Sequence, residues 1–135
     1  MPRVLTRCCC TLFLSLLCIT WSSAPATAAS IVRATDRDNG HTITLRRSQR
    51  LLVVLSSTYW QLQRSSNRGV LRLVNGPNIR PTMGCVPGAG CGTATATYLA
   101  AAAGHATVTA TRTSCGEAMR CTPAQSRFTL NVVVR

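Results

Sequence analysis

The feature that most constrains the fold is a two-residue periodicity that recurs along the chain. The segment TATATYLA (93–100) alternates threonine with apolar residues, and HATVTATR (105–112) repeats the pattern after Gly104. Successive side chains of a β-strand point to opposite faces, so this alternation predicts two half-buried strands joined at the glycine. The segment TITL (42–45) shows the same pattern. The alanine run at 100–103 is compatible with a helix, but its flanks favour a strand, and an all-β fold is therefore predicted.

Turn-forming residues separate eight candidate strands. The predicted strands are 30–35, 41–46, 51–55, 59–63, 70–74, 93–103, 105–112 and 127–135. Their regular spacing predicts an immunoglobulin-like antiparallel β-sandwich of seven to eight strands. Asn39-Gly40 predicts a hairpin between the first two strands, and the apolar run LLVVL (51–55) predicts a strand buried on both faces. Residues 75–92, rich in glycine and proline, predict a long irregular loop.

Residues 1–29 have the three-part pattern of a secretory signal peptide. A positively charged start with Arg3 and Arg7 precedes an apolar run from Cys8 to Trp21, and small residues follow. Cleavage is predicted after Ala28 or Ala29, and the alternative is an uncleaved N-terminal anchor. The apolar run is short for a membrane-spanning helix, which needs about 20 residues. We therefore predict a secreted or cell-envelope protein with one domain at 30–135 and no membrane span after cleavage.

Four cysteines lie outside the predicted signal, in two pairs of equal spacing: Cys85 and Cys91, and Cys115 and Cys121. An exported protein meets an oxidising compartment, where paired cysteines form disulfides. Four cysteines allow three connectivities, and proximity favours bonds within each pair without deciding the matter. Zinc is a rival interpretation, although it prefers about two to four intervening residues and each pair here has five. Free thiols are the third possibility; we predict disulfides and no metal site.

The charge of the chain is strongly basic. All 15 basic residues are arginine, and removal of Arg3 and Arg7 with the signal would lower the formal net charge from +12 to +10. The electric field of so large a charge attracts polyanions. Anionic cell-envelope polymers are therefore candidate partners, in addition to a protein partner. The alternative is that the basic surface is simply solvated and binds nothing. Arginine and aromatic residues do not interleave in the way that indicates a base-stacking platform. Nucleic-acid binding is therefore not predicted.

Catalytic motifs are missing from the sequence. The two histidines, His41 and His105, each begin a predicted strand beside a glycine, and no Gly-x-Ser-x-Gly motif supports a nucleophile. Only three acidic residues are present, two of them in the predicted turn at 36–40. GAGCG (88–92) is similar to a dinucleotide-binding motif only superficially, because no helix is predicted after it. We therefore predict no enzyme, no catalytic residue and no cofactor.

The framework of the predicted domain resembles the chagasin-like family, the secreted immunoglobulin-like inhibitors of papain-like cysteine proteases. The resemblance is carried by TDRDNGHTITLRRSQRLLVVL (35–55), by Trp60, by GTATATYLAAAAGHATVTATR (92–112) and by RFTLNVVV (127–134). It covers most of the chain after the predicted signal. It implies an immunoglobulin-like domain that presents three loops at one end of the sandwich.

The three inhibitory loops of that family match this chain less closely than the framework does. The family's first loop, Asn-Pro-Thr-Thr-Gly before aromatic residues, corresponds here to SSTYW (56–60). Its second loop, Gly-x-Gly-Gly, corresponds to GAGCG (88–92), which contains an inserted Cys91. Its third, Arg-Pro-aromatic, corresponds to Arg112 followed by Thr113 and Ser114, without proline or aromatic residue. The resemblance implies partner-binding loops containing Ser57, Thr58, Tyr59, Gly88, Gly90, Gly92, Arg112 and Thr113.

The function implied by the resemblance is steric inhibition of a papain-like cysteine protease. The three loops would enter the active-site cleft as a wedge and cover the catalytic cysteine without offering a cleavable bond. The alternative is an exported structural or adhesive immunoglobulin-like domain that is held at the cell envelope by its basic surface and has no protease target.

Overall fold

Residues 30–135 are described in the computed structural model of the chain, and ten β-strands run through them. The strands are β1 (Ile31–Thr35), β2 (Thr42–Leu45), β3 (Arg50–Ser56), β4 (Gln61–Leu62), β5 (Leu71–Pro81), β6 (Gly92–Ala100), β7 (Gly104–Thr111), β8 (Ser114–Gly116), β9 (Met119–Arg120) and β10 (Arg127–Val134). The predicted signal peptide at 1–29, with its cleavage site and its four cysteines, lies outside the described residues.

Eight of the strands form two four-stranded sheets. One sheet has the order β1-β3-β6-β5 and the other has the order β2-β10-β7-β4, while β8 and β9 form a separate two-stranded ribbon. The predicted all-β sandwich is thereby confirmed. The pairings β1–β3 and β2–β10 are parallel, and the remaining pairings in the two sheets are antiparallel.

The core lies between the two sheets and is built from alternate residues of each strand. In β6 the alternation is complete, since Ala94, Ala96, Tyr98 and Ala100 are all buried and their neighbours are half-buried. Burial of a large apolar side chain contributes roughly 1.5–3 kcal/mol, so the stability of the domain rests on these inward faces. Trp60 is also buried, as expected for a core tryptophan.

The expectation that 51–55 is buried on both faces is wrong. Leu51, Val53 and Leu55 are buried, whereas Leu52 and Val54 are only half-buried. A sandwich has two layers, so each sheet has one face against the core and one outer face. The apolar side chains at 52 and 54 lie on that outer face.

The hairpin predicted at Asn39-Gly40 is also wrong, because β1 and β2 belong to different sheets. Between them lies a short 3-10 helix, Asp36–Asp38, and the Asp38 carboxylate accepts a 2.7 Å hydrogen bond from the Thr35 backbone N–H. The Asn39 amide then bonds across to β10, where its oxygen accepts from Thr129 N–H at 2.8 Å. These side-chain bonds direct the chain from one sheet to the other.

Two other segments differ from the sequence-based expectation. The strand expected at 59–63 is reduced to Gln61–Leu62. Conversely, the first seven of the eighteen residues expected as a loop at 75–92 are strand, because β5 continues to Pro81 with register irregularities between Leu73 and Asn78. A strand at the edge of a sheet tolerates the proline and glycine that suggest a loop, since only one of its sides must pair.

Tyr98 connects the two sheets. Its ring is fully buried in the core from β6, and its hydroxyl donates a 2.6 Å hydrogen bond to the carbonyl of Gln63, just after β4. Burial raises the pKa of Tyr98 from 10.0 to about 12, because the charged phenolate is poorly solvated there. The neutral hydroxyl is therefore the form that the fold accommodates.

The raised pKa predicts a specific alkaline destabilisation. Between pH 10 and about 12 the unfolded chain loses the Tyr98 proton first, so the free energy of unfolding falls by about 1.4 kcal/mol per pH unit. Tyr98→Phe should cost about 1 kcal/mol below pH 10, through the lost hydrogen bond, and should remove this part of the slope. Urea unfolding of both proteins across the range measures it, and parallel slopes would contradict the assignment.

Candidate functional site

Three loops meet at one end of the sandwich. Residues 57–60 follow β3, residues 82–91 join β5 to β6, and residues 112–126 join β7 to β10. Their strands end together, since Ser56 pairs with Thr93, Pro81 with Gly92, and Thr111 with both Gln61 and Arg127. We call these three segments together the loop edge.

The first loop is fastened to the second by hydrogen bonds. Ser57 N–H donates to the Gly92 carbonyl at 2.9 Å, and Thr58 N–H donates to the Gly90 carbonyl at 2.9 Å. The Tyr59 hydroxyl donates to the Gly88 carbonyl at 2.7 Å. The structure thus brings together the six residues that the resemblance placed in these two loops.

Two glycines make this close approach possible. Gly90 has a φ of +67°, and a side chain there would run into the ring of Tyr59. Gly92 has a φ of +134°, and a Cβ there would clash with the Arg80 carbonyl and lie 2.8 Å from the Thr58 methyl. Both positions therefore need glycine for two independent reasons, backbone conformation and space.

Ser57 has a strained backbone at the start of the first loop. Its φ is 137°, a conformation that residues with a side chain rarely adopt and that costs on the order of 1–3 kcal/mol. The hydrogen bond to Gly92 and a 3.1 Å bond from Tyr59 N–H to the Ser57 hydroxyl hold it there. The short loop is thus kept in one shape by its surroundings.

Disulfides close the second and third loops. Cys85 is bonded to Cys91, and Cys115 is bonded to Cys121. The second bond spans the β8–β9 ribbon, which turns at Glu117 and Ala118, and Cys121 N–H donates to the Thr113 carbonyl at 3.1 Å. In the chain-entropy view each such short closure stabilises by about 2 kcal/mol.

The second and third loops also lie close together. A Cβ built on Gly116 would lie 3.8 Å from the Ala89 carbonyl, and one on Gly88 would lie 3.9 Å from the Glu117 Cα. A cavity of about 300 Å³ lies where the three loops meet, and its lining includes Ser57, Gly90, Arg112 and Cys115. The loop edge is consequently one continuous surface.

Arg112 joins the third loop to the core. Its guanidinium lies 4.3 Å from the centroid of the Trp60 ring, a cation–π distance, and its Nε donates to the Gln125 carbonyl at 2.9 Å. The side chain is half-buried, whereas the neighbouring Thr113 is exposed. Arg112 therefore supports the shape of the loop edge as well as lining its cavity.

Sequence reasoning missed three exposed apolar side chains on the stapled loops. Met83 is 97% exposed, Met119 is 63% exposed and Val86 is 59% exposed. Their exposure on the closed loops makes them available for contact with another protein. The available signal was an apolar residue within or beside each cysteine pair, in segments otherwise rich in glycine and polar residues.

Residues 57–60, 82–91 and 112–126, which form the loop edge, contain no histidine. His41 and His105 are exposed and lie outside the three loops. Among residues 30–135, no three His, Cys, Asp or Glu side chains come close enough to hold a metal ion. No helix in that same range is long and apolar enough to cross a membrane.

The fold is similar to that of a solved cysteine protease inhibitor. A match with a TM-score of 0.55 and 12% identity links it to the cysteine protease inhibitor EhICP2 from Entamoeba histolytica, covering 81% of this chain and 99% of that chain. The solution structure of amebosin matches with a TM-score of 0.50 and 15% identity, covering 80% of this chain and 100% of that one. No family model and no curated protein match the chain. The resemblance to the chagasin-like inhibitors is thereby confirmed at the level of the fold.

The glycine requirement can be tested by a matched pair of substitutions. Gly90→Ala should destabilise the domain by about 1–3 kcal/mol more than Gly84→Ala, because it forces Tyr59 out of place. Gly84 is the control, since its φ of +76° is similar to that of Gly90 and a Cβ there meets nothing within 4 Å. Urea unfolding of both variants measures the difference, and equal losses would show that Tyr59 does not hold the second loop.

Proposed function

We propose that this chain is a secreted inhibitor of papain-like cysteine proteases that acts by inserting the loop edge into the active-site cleft. The observation that carries the proposal is that three loops meet at one end of a fold shared with a cysteine protease inhibitor, with the first hydrogen-bonded to the second and a disulfide closing each of the other two. Such an edge blocks a cleft by occupying it. No catalytic group is required.

Rigidity would supply much of the affinity. Ordering flexible loops on binding costs free energy, and a surface that is ordered beforehand avoids that cost. Here the first loop is bonded to the second, and the second and third are each closed by a disulfide. This arrangement also resists cleavage, because a protease must extend a loop to cut it.

The contact surface would combine apolar and polar groups. Met83, Val86 and Met119 provide apolar area that water leaves on binding, which is the usual source of interface affinity. Ser57 and Thr58 lie on the first loop, the segment that the family resemblance brings nearest the catalytic cysteine. We propose these residues as the part of the edge that enters the cleft.

Secretion fits the chemistry of the cysteines. All four cysteines at 85–121 are paired in disulfides, which persist in oxidising compartments. The sequence of 1–29 predicts the export that would take the chain there. We therefore propose an extracellular or envelope location and an extracellular protease partner.

The first test is a titration of activated papain with residues 30–135. Saturable inhibition is expected, and Val86→Arg should weaken it by about tenfold or more by placing a charge on the second stapled loop. Val74→Arg is the matched control, since Val74 is a similarly exposed valine, at 44%, on β5 and outside the loop edge. Absence of inhibition by the unmodified domain would contradict the proposal, and equal effects of both substitutions would place the contact elsewhere.

The contribution of the disulfides to inhibition is tested by substitution and not by adding a reductant. Papain is activated by thiols, and an excess of thiol would also attack Cys85–Cys91 and Cys115–Cys121. Cys85→Ser/Cys91→Ser and Cys115→Ser/Cys121→Ser remove one bond each. Each double variant should remain folded, lose about 2 kcal/mol of stability and inhibit more weakly. Unchanged inhibition constants in both would show that the bonds do not preorganise the contact.

The dependence on ionic strength distinguishes protease inhibition from the alternative function, an envelope-bound structural domain. No similar protein supports that alternative. Association through exposed arginine should weaken steeply as ionic strength rises. Inhibition through the loop edge should persist, because burial of the apolar side chains Met83, Val86 and Met119 does not rely on attraction between charges.

A further inference from the structure

A second concave site lies on the flank of the sandwich, away from the loop edge. A cavity of about 240 Å³ is lined by Arg64, Arg68, Arg72 and Leu73, so three of its four lining residues are arginine. We call this the arginine pocket. Arg72 is the second residue of β5, whereas the second loop follows the last, Pro81, on the order of 25 Å further along the strand.

The arginine pocket continues into a larger groove. An adjoining cavity of about 520 Å³ shares Arg64, Arg68 and Leu73, and extends to Gly76 and Pro77. The groove runs between the edge strands β4 and β5, where the register of β5 shifts relative to β6. The irregularity of β5 thus helps to shape the site.

The segment that carries Arg64 and Arg68 is firmly held. The Ser65 hydroxyl is buried and donates to the Leu71 carbonyl, and Ser66 N–H donates to the Thr107 carbonyl at 2.9 Å. The Asn67 side-chain oxygen accepts from Gly69 N–H at 3.1 Å and from Val70 N–H at 3.3 Å. A short connection with this many internal bonds presents its two arginines from a fixed backbone.

Within residues 30–135, no acidic side chain lines either cavity. The Asp36 carboxylate accepts from Ser56 N–H at 2.8 Å, Asp38 accepts from Thr35 N–H, and Glu117 lies in the third loop. Three like charges brought to one concavity repel one another, and an anion between them relieves that repulsion. The site is therefore suited to an external negative charge.

We propose that the arginine pocket binds a phosphate or sulfate ester group. The planar guanidinium donates paired N–H bonds that match the oxygens of a tetrahedral oxyanion, and Leu73 offers an apolar surface beside them. The adjoining groove has room for the moiety that carries the ester. The group comes either from a soluble ester or from a lipid headgroup, which share this chemistry.

The test is calorimetric titration of residues 30–135 with inorganic pyrophosphate. Saturable binding at one site is expected, and Arg64→Gln/Arg68→Gln/Arg72→Gln should raise the dissociation constant by about tenfold or more. Arg33→Gln/Arg37→Gln/Arg127→Gln removes the same charge from exposed positions on β1, the 3-10 helix and the start of β10, which line neither cavity, and should change it by less than about threefold, through the general field alone. Equal losses in the two variants, or no saturation by the unmodified domain, would overturn the proposal.

Two further readouts locate the site and its natural source. The methyl resonances of Leu73 should shift on titration, since Leu73 lines both cavities, and their invariance would also overturn the proposal. If the domain binds phosphatidylcholine vesicles that contain phosphatidylglycerol, and pyrophosphate displaces it from them, the natural source is a lipid headgroup. If the domain binds pyrophosphate but not the vesicles, the source is a soluble ester. Inhibition of papain should be unchanged in the Arg64/Arg68/Arg72 variant, which separates this site from the loop edge.

Discussion

Side chains of a β-strand alternate between two faces, and in this chain the inner face of each sheet holds the buried apolar side chains. The residues Leu51, Val53 and Leu55 of β3 and Phe128, Leu130 and Val132 of β10 all point into one core. A slip of one residue in any of these pairings would exchange the buried and outward faces. Register is therefore firmly set, and with it the place where each strand ends. The loop edge depends on those ends, because its three loops begin where paired strands stop.

The loop edge shows how a short loop is given a fixed shape. Residues 57–60 contain neither the glycine nor the proline that normally stiffens a turn, and Ser57 has a strained backbone. Its conformation is supplied by its neighbours, through backbone bonds to Gly90 and Gly92 and through the ring of Tyr59 lying against Gly90. The disulfides then hold the supporting loops. The loop sequences can therefore differ from the inhibitory-loop motifs of the chagasin-like family while the loop edge stays preorganised.

The arginines of the chain do not form a uniform basic coat. Arg112 is partly withdrawn from solvent and stacks on Trp60, where it supports the third loop. Arg64, Arg68 and Arg72 instead line one pocket on the flank, from a tightly bonded connection and the start of an edge strand. The same residue type therefore has a structural use at one end of the domain and a binding use, as we propose, on its side. Composition reveals the total charge but not this division.

Local pattern was enough to predict the all-β class, most strand positions and the inward faces of β6 and β7, because alternation and turn chemistry act between near neighbours. The resemblance follows the framework and indicates residues 57–59, 88–92 and 112–113 as partner-binding loop residues, and that role remains a prediction. Tertiary structure alone decided the rest. It separated β1 from β2 through bonds from Asn39 to a strand some ninety residues away, and it extended β5 through pairing with β6. Each of these outcomes depends on contacts between distant parts of the chain, whose energies no local segment contains.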